Sequence, residues 1–225
     1  MIQPQAINFL YLRFAKIIYM KIVFTLLITA FLCQSGFSQT KFGVFGGYTH
    51  NSARIHYKDK LQETSYVPGF NFGARVQVEF EPPLYFTGIF GFSRRGYNYK
   101  PTADSSVKTG INYIDIAPMV NYDFNIGAGN KISLLAGPML GVAFAGKEKT
   151  TVNGSSTTSD MKFSLSGNYS YANLAAQAGI GFHFNNFFIE GIYHLGLNSI
   201  NSDEEQDDTN IKLRGFTFNI GYWIK

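Results

Sequence analysis

Charge is scarce in this chain, with only 15% of its residues drawn from Asp, Glu, Lys and Arg. That argues against a helical domain with a salt-bridged exterior. Cysteine is nearly absent as well: the single Cys33 excludes an internal disulfide. From residue 40 onward no stretch carries the apolar period of an amphipathic helix, and no HExxH, CxxC or catalytic-triad spacing occurs. Present in quantity are 22 Phe, 14 Tyr and 23 Gly, strand and turn formers that favour an all-β protein. A length of 225 residues suits one domain. The mean hydropathy of -0.03 does not exclude a membrane, because strands that alternate lipid-facing and inward-facing residues average to neutrality.

Residues 1–38 read as an export leader. Met20-Lys21 precedes an apolar run from Ile22 to Cys33, and Gly36 and Ser38 place small residues ahead of a cut before Gln39. Met20 is the better translation start, and residues 39–225 form the expected mature domain. The run is too short for a comfortable spanning helix. Leu32 before Cys33 argues against lipidation. The leader carries Arg13, Lys16 and Lys21 and no carboxylate, so its removal takes the formal charge from +4 to +1. A nucleic-acid partner is therefore not expected, since the basicity belongs to the leader.

The remainder alternates period-two apolar segments with polar breaks. Strands are expected at roughly 41–50, 67–80, 84–99, 111–125, 131–146, 171–184, 187–200 and 211–224. Short turns follow the second, fourth and sixth strands at Glu81-Pro82-Pro83, Ile126 to Asn130 and Asn185-Asn186. Long polar loops follow the first, third, fifth and seventh, and the Ser/Thr tract 150–159 reads as a flexible loop. This is the layout of an eight-stranded antiparallel up-and-down transmembrane β-barrel, with termini and short turns in the periplasm and long loops outside the cell.

Parity assigns the faces. In the second strand Phe70, Phe72, Ala74, Val76, Val78 and Phe80 oppose Asn71, Gly73, Arg75, Gln77 and Glu79. In the closing strand Phe216, Phe218, Ile220, Tyr222 and Ile224 oppose Thr217, Asn219, Gly221 and Trp223. A soluble barrel would turn its apolar face inward. Here the polar face holds Arg75, Glu79, Asp115, Asp123, Glu190 and His194 with many Gly and Ala, which suits a narrow lumen of paired charges. Phe80, Phe86, Tyr122, Phe124, Phe182, Phe184, Phe187 and Tyr222 gather at the short-turn end as an aromatic girdle.

With its opening strand Phe42-Gly43-Val44-Phe45-Gly46-Gly47-Tyr48 and its closing Gly215-Phe216-Thr217-Phe218-Asn219-Ile220-Gly221-Tyr222, the chain resembles the PorT-like outer membrane β-barrel domain family over residues 40–225. The resemblance implies a bacterial outer-membrane location with lipids and lipopolysaccharide as surroundings. The closing strand resembles the signal read by the barrel-assembly machinery, although it ends Trp223-Ile224-Lys225 instead of in an aromatic residue.

Chemistry is thinly signalled. His183, Glu190 and His194 face the lumen on neighbouring strands, the residue types of a metal or acid/base site, but hydrogen bonding within a polar lumen accounts for them. The acidic run 203–208 has oxygen ligands for a divalent cation without the ordered spacing of a calcium loop. No catalytic residue, cofactor or metal is assigned. An eight-stranded lumen fills with side chains, which disfavours a pore. The expected function is therefore a non-enzymatic barrel with a structural, envelope-assembly or surface-interaction role. The competing reading is a lipid-modifying enzyme, which needs a nucleophile and base near the outer rim; His50 and Ser52 lie near the outer end of the first strand, but no carboxylate is placed to orient them.

Overall fold

The computed structural model describes residues 40–58, 60–102, 104–163, 169–201 and 209–224. The leader and the acidic run 203–208 lie outside them. Among the described residues the strands are β1 (Thr40–Tyr57), β2 (Lys60–Gln62), β3 (Thr64–Ser65), β4 (Val67–Glu81), β5 (Leu84–Arg95), β6 (Asn98–Thr102), β7 (Ser105–Gly127), β8 (Asn130–Val152), β9 (Ser155–Asp160), β10 (Ala172–Phe184), β11 (Phe187–Gly196) and β12 (Thr209–Ile224). Eight of them, β1, β4, β5, β7, β8, β10, β11 and β12, pair antiparallel in chain order. β12 then returns to β1, from Phe42 opposite Ile224 to Tyr57 opposite Thr209, and closes the ring. Closure leaves no edge strand in the ring and satisfies every ladder internally, as a sheet in lipid requires.

The alternation holds around the ring. Asn71, Arg75 and Gln77 are buried while Phe70, Phe72 and Phe80 are exposed; Asn219, Gly221 and Trp223 are buried while Phe218 and Ile220 are exposed. Large apolar side chains thus stand on the outside of nearly every strand, and buried polar ones line the inside. Such a continuous exposed apolar belt far exceeds what a soluble monomer presents, and it fits a lipid surround. Inside, space is tight: a Cβ on Gly221 would come within 2.0 Å of the Phe188 ring and one on Gly43 within 2.9 Å of the Trp223 ring. Glycine at these inward positions admits the aromatic side chains.

One end of the ring carries tight reversals. Asn185-Asn186 joins β10 to β11 with Asn185 at φ 51°, and the β7–β8 reversal runs through Gly127, Ala128 and Gly129, all with positive φ. The other end, the loop end, departs from expectation. The segments read as polar loops are largely β-structure: β1 and β12 stay paired to Tyr57, and β7 and β8 to Ser105 opposite Val152. The Ser/Thr tract expected to be flexible is a hairpin, β8 turning through Asn153-Gly154 (φ 49° and 83°) into β9. Two successive positive φ angles at Asn-Gly are the type I′ reversal that matches strand twist, and β-branched Thr supplies the ladder. Two expected strands are also shorter: β5 ends at Arg95, before Gly96, and β11 ends at Gly196.

Above the ring these extensions enclose an apolar cap. Ala53, Ile55, Tyr97, Ile111, Tyr113, Ala143, Met161, Ile200, Ile211 and Leu213 form one buried cluster, with Tyr99, Phe163 and Tyr169 packed against it. The loops supply Tyr97, Met161 and Ile200 to this core, burying roughly 1.5 to 3 kcal/mol of apolar side chain apiece.

Candidate functional site

The lumen is built in layers. Nearest the tight turns, Arg75 Nη1 donates to Glu190 Oε1 at 2.5 Å, both side chains being 1% exposed. The guanidinium lies 4.5 Å from the centre of the Phe188 ring and 5.1 Å from that of Trp223. Trp223 Nε1 donates to His183 Nδ1 at 3.4 Å. Beside this group Asp123 accepts from Ser133 Oγ at 2.5 Å and from Lys131 Nζ at 3.4 Å. In mid-barrel Ala117, Met119, Leu135, Met139 and Ala175 pack together, and Asn71 Nδ2 donates to Asn219 Oδ1 at 2.8 Å. Towards the loop end Arg95 pairs with Asp115, donates to Ser93 Oγ and to Asn173 Oδ1 at 2.9 Å, and sits 4.0 Å from the centre of the Tyr113 ring. A cavity of about 50 Å³ remains near Arg95, His194 and Asn219. With the apolar cap above it, the lumen formed by the described residues is a packed interior.

Of the expected inward charges, Arg75, Asp123, Glu190 and His194 are buried, whereas Glu79 is only half-buried and closes no ion pair among the described residues; the partners also differ from expectation. Arg75 pairs with Glu190 on β11, across the lumen past β1 and β12, where carboxylates of adjacent strands were expected. Arg95, which sequence parity did not single out, centres the second network. Its signal was the Arg94-Arg95 pair at a strand end, where one cation must point inward.

His183, Glu190 and His194 do not converge. Gly181 is opposite Glu190 and Gln177 opposite His194, so His183 lies diagonally beside Glu190. His194 stands four residues further along β11, roughly 13 Å away. Among the described residues no group of three His, Cys, Asp or Glu side chains is placed to hold a metal. The pair weighed for a lipid-modifying site is split between a half-exposed His50 and a buried Ser52. His50 stacks on Tyr66 with centroids 4.6 Å apart and its Nδ1 lies 3.2 Å from the Tyr48 hydroxyl; Ser52 is fully buried, its Oγ donating to Thr64 Oγ1 at 3.0 Å.

The outer face carries two aromatic bands. Towards the tight turns, Tyr122 and Phe124, Phe182 and Phe184, and Phe187 and Tyr222 pair with centroids 4.7 to 5.8 Å apart. Towards the loop end Phe70, Phe72 and Phe92 stack on one another at 5.2 to 6.4 Å, with Phe144 6.0 Å from Phe92. The second band was not read from sequence. Just beyond it, Arg94, Lys108, Lys147 and Lys149 line an open concavity of about 420 Å³.

No curated protein matches the chain. Among solved structures it is similar to Ail of Yersinia pestis (20% identity, 83% of this chain and 99% of that one, TM-score 0.42). It is also similar to Neisserial surface protein A (14%, 82% and 99%, 0.41) and to OprG of Pseudomonas aeruginosa (12%, 82% and 95%, 0.44). A family model described as an outer membrane protein beta-barrel domain matches residues 35–202. With a closed eight-stranded ring, an apolar exterior and a polar, packed lumen, the chain belongs to the outer membrane protein beta-barrel domain family and is a β-barrel of the bacterial outer membrane.

Proposed function

We propose that this barrel is a non-enzymatic outer-membrane protein that acts through its loop-end surface, in a structural, envelope-assembly or surface-interaction role. The observation that carries the reading is the packed lumen. Ion pairs, a mid-barrel core and an apolar cap occupy the interior from Trp223 to Tyr97, and the ordered β1/β12 and β7/β8/β9 extensions are left as the built surface. In this reading the loop end faces the cell exterior, the termini are periplasmic, and the closing strand is handed to the barrel-assembly machinery. The PorT-like likeness of the opening and closing strands belongs to the same reading. So does the leader, cut before Gln39; intact mass of envelope protein should correspond to a chain starting at or near that residue, and retention of Ile22 to Cys33 would overturn it.

Two measurements test the function. Ser155→Cys, beside the exposed β8–β9 reversal, should react with a membrane-impermeant maleimide on intact cells; reaction only after the outer membrane is permeabilised would reverse the orientation. Labelled phospholipid incubated with detergent-solubilised protein should be recovered intact. Catalytic turnover of that lipid would favour the lipid-modifying alternative.

A further inference from the structure

A bulge in β8 re-aims two lysines. Along most of β8 the odd-numbered residues, Leu135, Met139 and Ala143 among them, face inward. The register then slips: Tyr113 is opposite Ala143 but Asn112 is opposite Ala145, leaving Phe144 as the extra residue. Beyond the slip the parity inverts. Gly146 now faces the cap, where a Cβ would meet Met161 and Phe163, and Tyr169 donates its hydroxyl to Glu148. Lys147 and Lys149 therefore turn outward, onto the face that below the bulge is lipid-exposed.

The outward lysines join two other cations. Lys149 stands directly opposite Lys108 and Lys147 opposite Gly110. Over Gly110 lies the Arg94 guanidinium, 3.1 Å from where a Cβ would be. Three strands thus bring four cations to one concavity. Among the described residues none of the four closes an ion pair; Asp160, opposite Lys147 on β9, is the one carboxylate directly across from the cluster and stays beyond ion-pair distance. Like charges directly opposite on neighbouring strands destabilise a sheet. An anion seated between them removes that cost. On the turn side of the cluster stand Phe70, Phe92 and Phe144 on the lipid-facing surface, Phe70 stacked on Phe92 and Phe144 tilted against it, with Phe92 two residues before Arg94 on the same face.

We propose that Arg94, Lys108, Lys147 and Lys149 form a binding site for the phosphorylated headgroup of an outer-leaflet lipid, whose acyl chains lie against Phe70, Phe92 and Phe144. The site deepens the proposed surface role and rests on it for the leaflet. Cations at the membrane interface above an aromatic band match a ligand that is anionic at one end and apolar below. A soluble anion would use the cations and not the phenylalanines.

The test uses the refolded full barrel and native mass spectrometry in detergent doped with diphosphoryl lipid A, its dephosphorylated form, or inorganic phosphate. The parent should retain the diphosphoryl lipid, with retention falling as salt rises. Lys108→Gln/Lys147→Gln/Lys149→Gln should lower retention roughly tenfold or more. Arg54→Gln/Lys212→Gln removes another directly opposed cation pair, on β1 and β12 outside this concavity, and should not change it, which controls for loss of a like-charge pair alone. Equal retention by the triple variant and the parent would overturn the site, as would equal retention of the dephosphorylated lipid or displacement by millimolar phosphate. Because this assay does not depend on orientation, its failure is distinguishable from a failure of maleimide labelling at position 155.

Discussion

Ile220→Arg is expected to destabilise the folded barrel in bilayers by roughly 2 to 4 kcal/mol, the cost of a cation at a lipid-facing midplane position. Ile220 stands opposite Ile189 on β11 and Gly46 on β1, and it is 59% exposed on the outer face. Arg214 lies six residues away towards the loop end, and Ile224 four residues away at the other. That spacing puts Ile220 near the middle of the apolar belt. Lipid cannot hydrate the guanidinium, and the side chain must stretch to reach an interface. Ile224→Arg, at the end of the strand, should cost well under half as much, because snorkelling to the headgroups is short there. Reversible unfolding in liposomes measures both variants. An Ile220→Arg protein as stable as its parent would contradict the lipid-facing assignment.

The second large effect lies inside. Arg75→Ala removes the cation that pairs with Glu190 at 2.5 Å and leaves that carboxylate buried without its partner. Breaking a buried pair from one side costs on the order of 3 to 5 kcal/mol, because the remaining charge keeps its desolvation penalty. Packing is lost too, since the guanidinium lies over Phe188 and Trp223. Arg75→Met/Glu190→Gln removes both charges at similar volume and should recover most of the loss. Glu79→Gln should stay within about 0.5 kcal/mol, because Glu79 is only half-buried and closes no ion pair among the described residues. Urea titration of refolded protein reads all three. If Arg75→Ala unfolds at the parent's midpoint, the cross-lumen pair is not what holds this layer.

Much of the architecture was legible because a strand's side chains alternate with a period of two, and burial on one face makes that period visible in composition. Phe70, Phe72 and Phe80 against Asn71, Arg75 and Gln77 are enough to assign the faces of β4 without coordinates. The tight turn at Asn185-Asn186 was equally legible, since asparagine tolerates the positive φ of 51° that the reversal requires. The extended hairpins were missed for a compositional reason. Apart from Val152, Thr150 to Ser159 is polar on both faces, so it has no burial period to read, although Asn153-Gly154 marked the reversal.

Sequence alone thus determined the number of strands in the ring, the face that meets lipid and the end that carries tight turns, because each follows from local periodicity and turn chemistry. Tertiary structure alone decided the rest. Arg75 meets Glu190 only because the ring closes and brings β4 across from β11, a distance of 115 residues along the chain. The cap forms because Tyr97, Met161 and Ile200, isolated apolar residues in three separate polar segments, converge over one opening. Lys147 and Lys149 join Arg94 and Lys108 only because one extra residue at Phe144 inverts the parity of β8. Pairing register is a property of two strands together, and no single strand's pattern contains it.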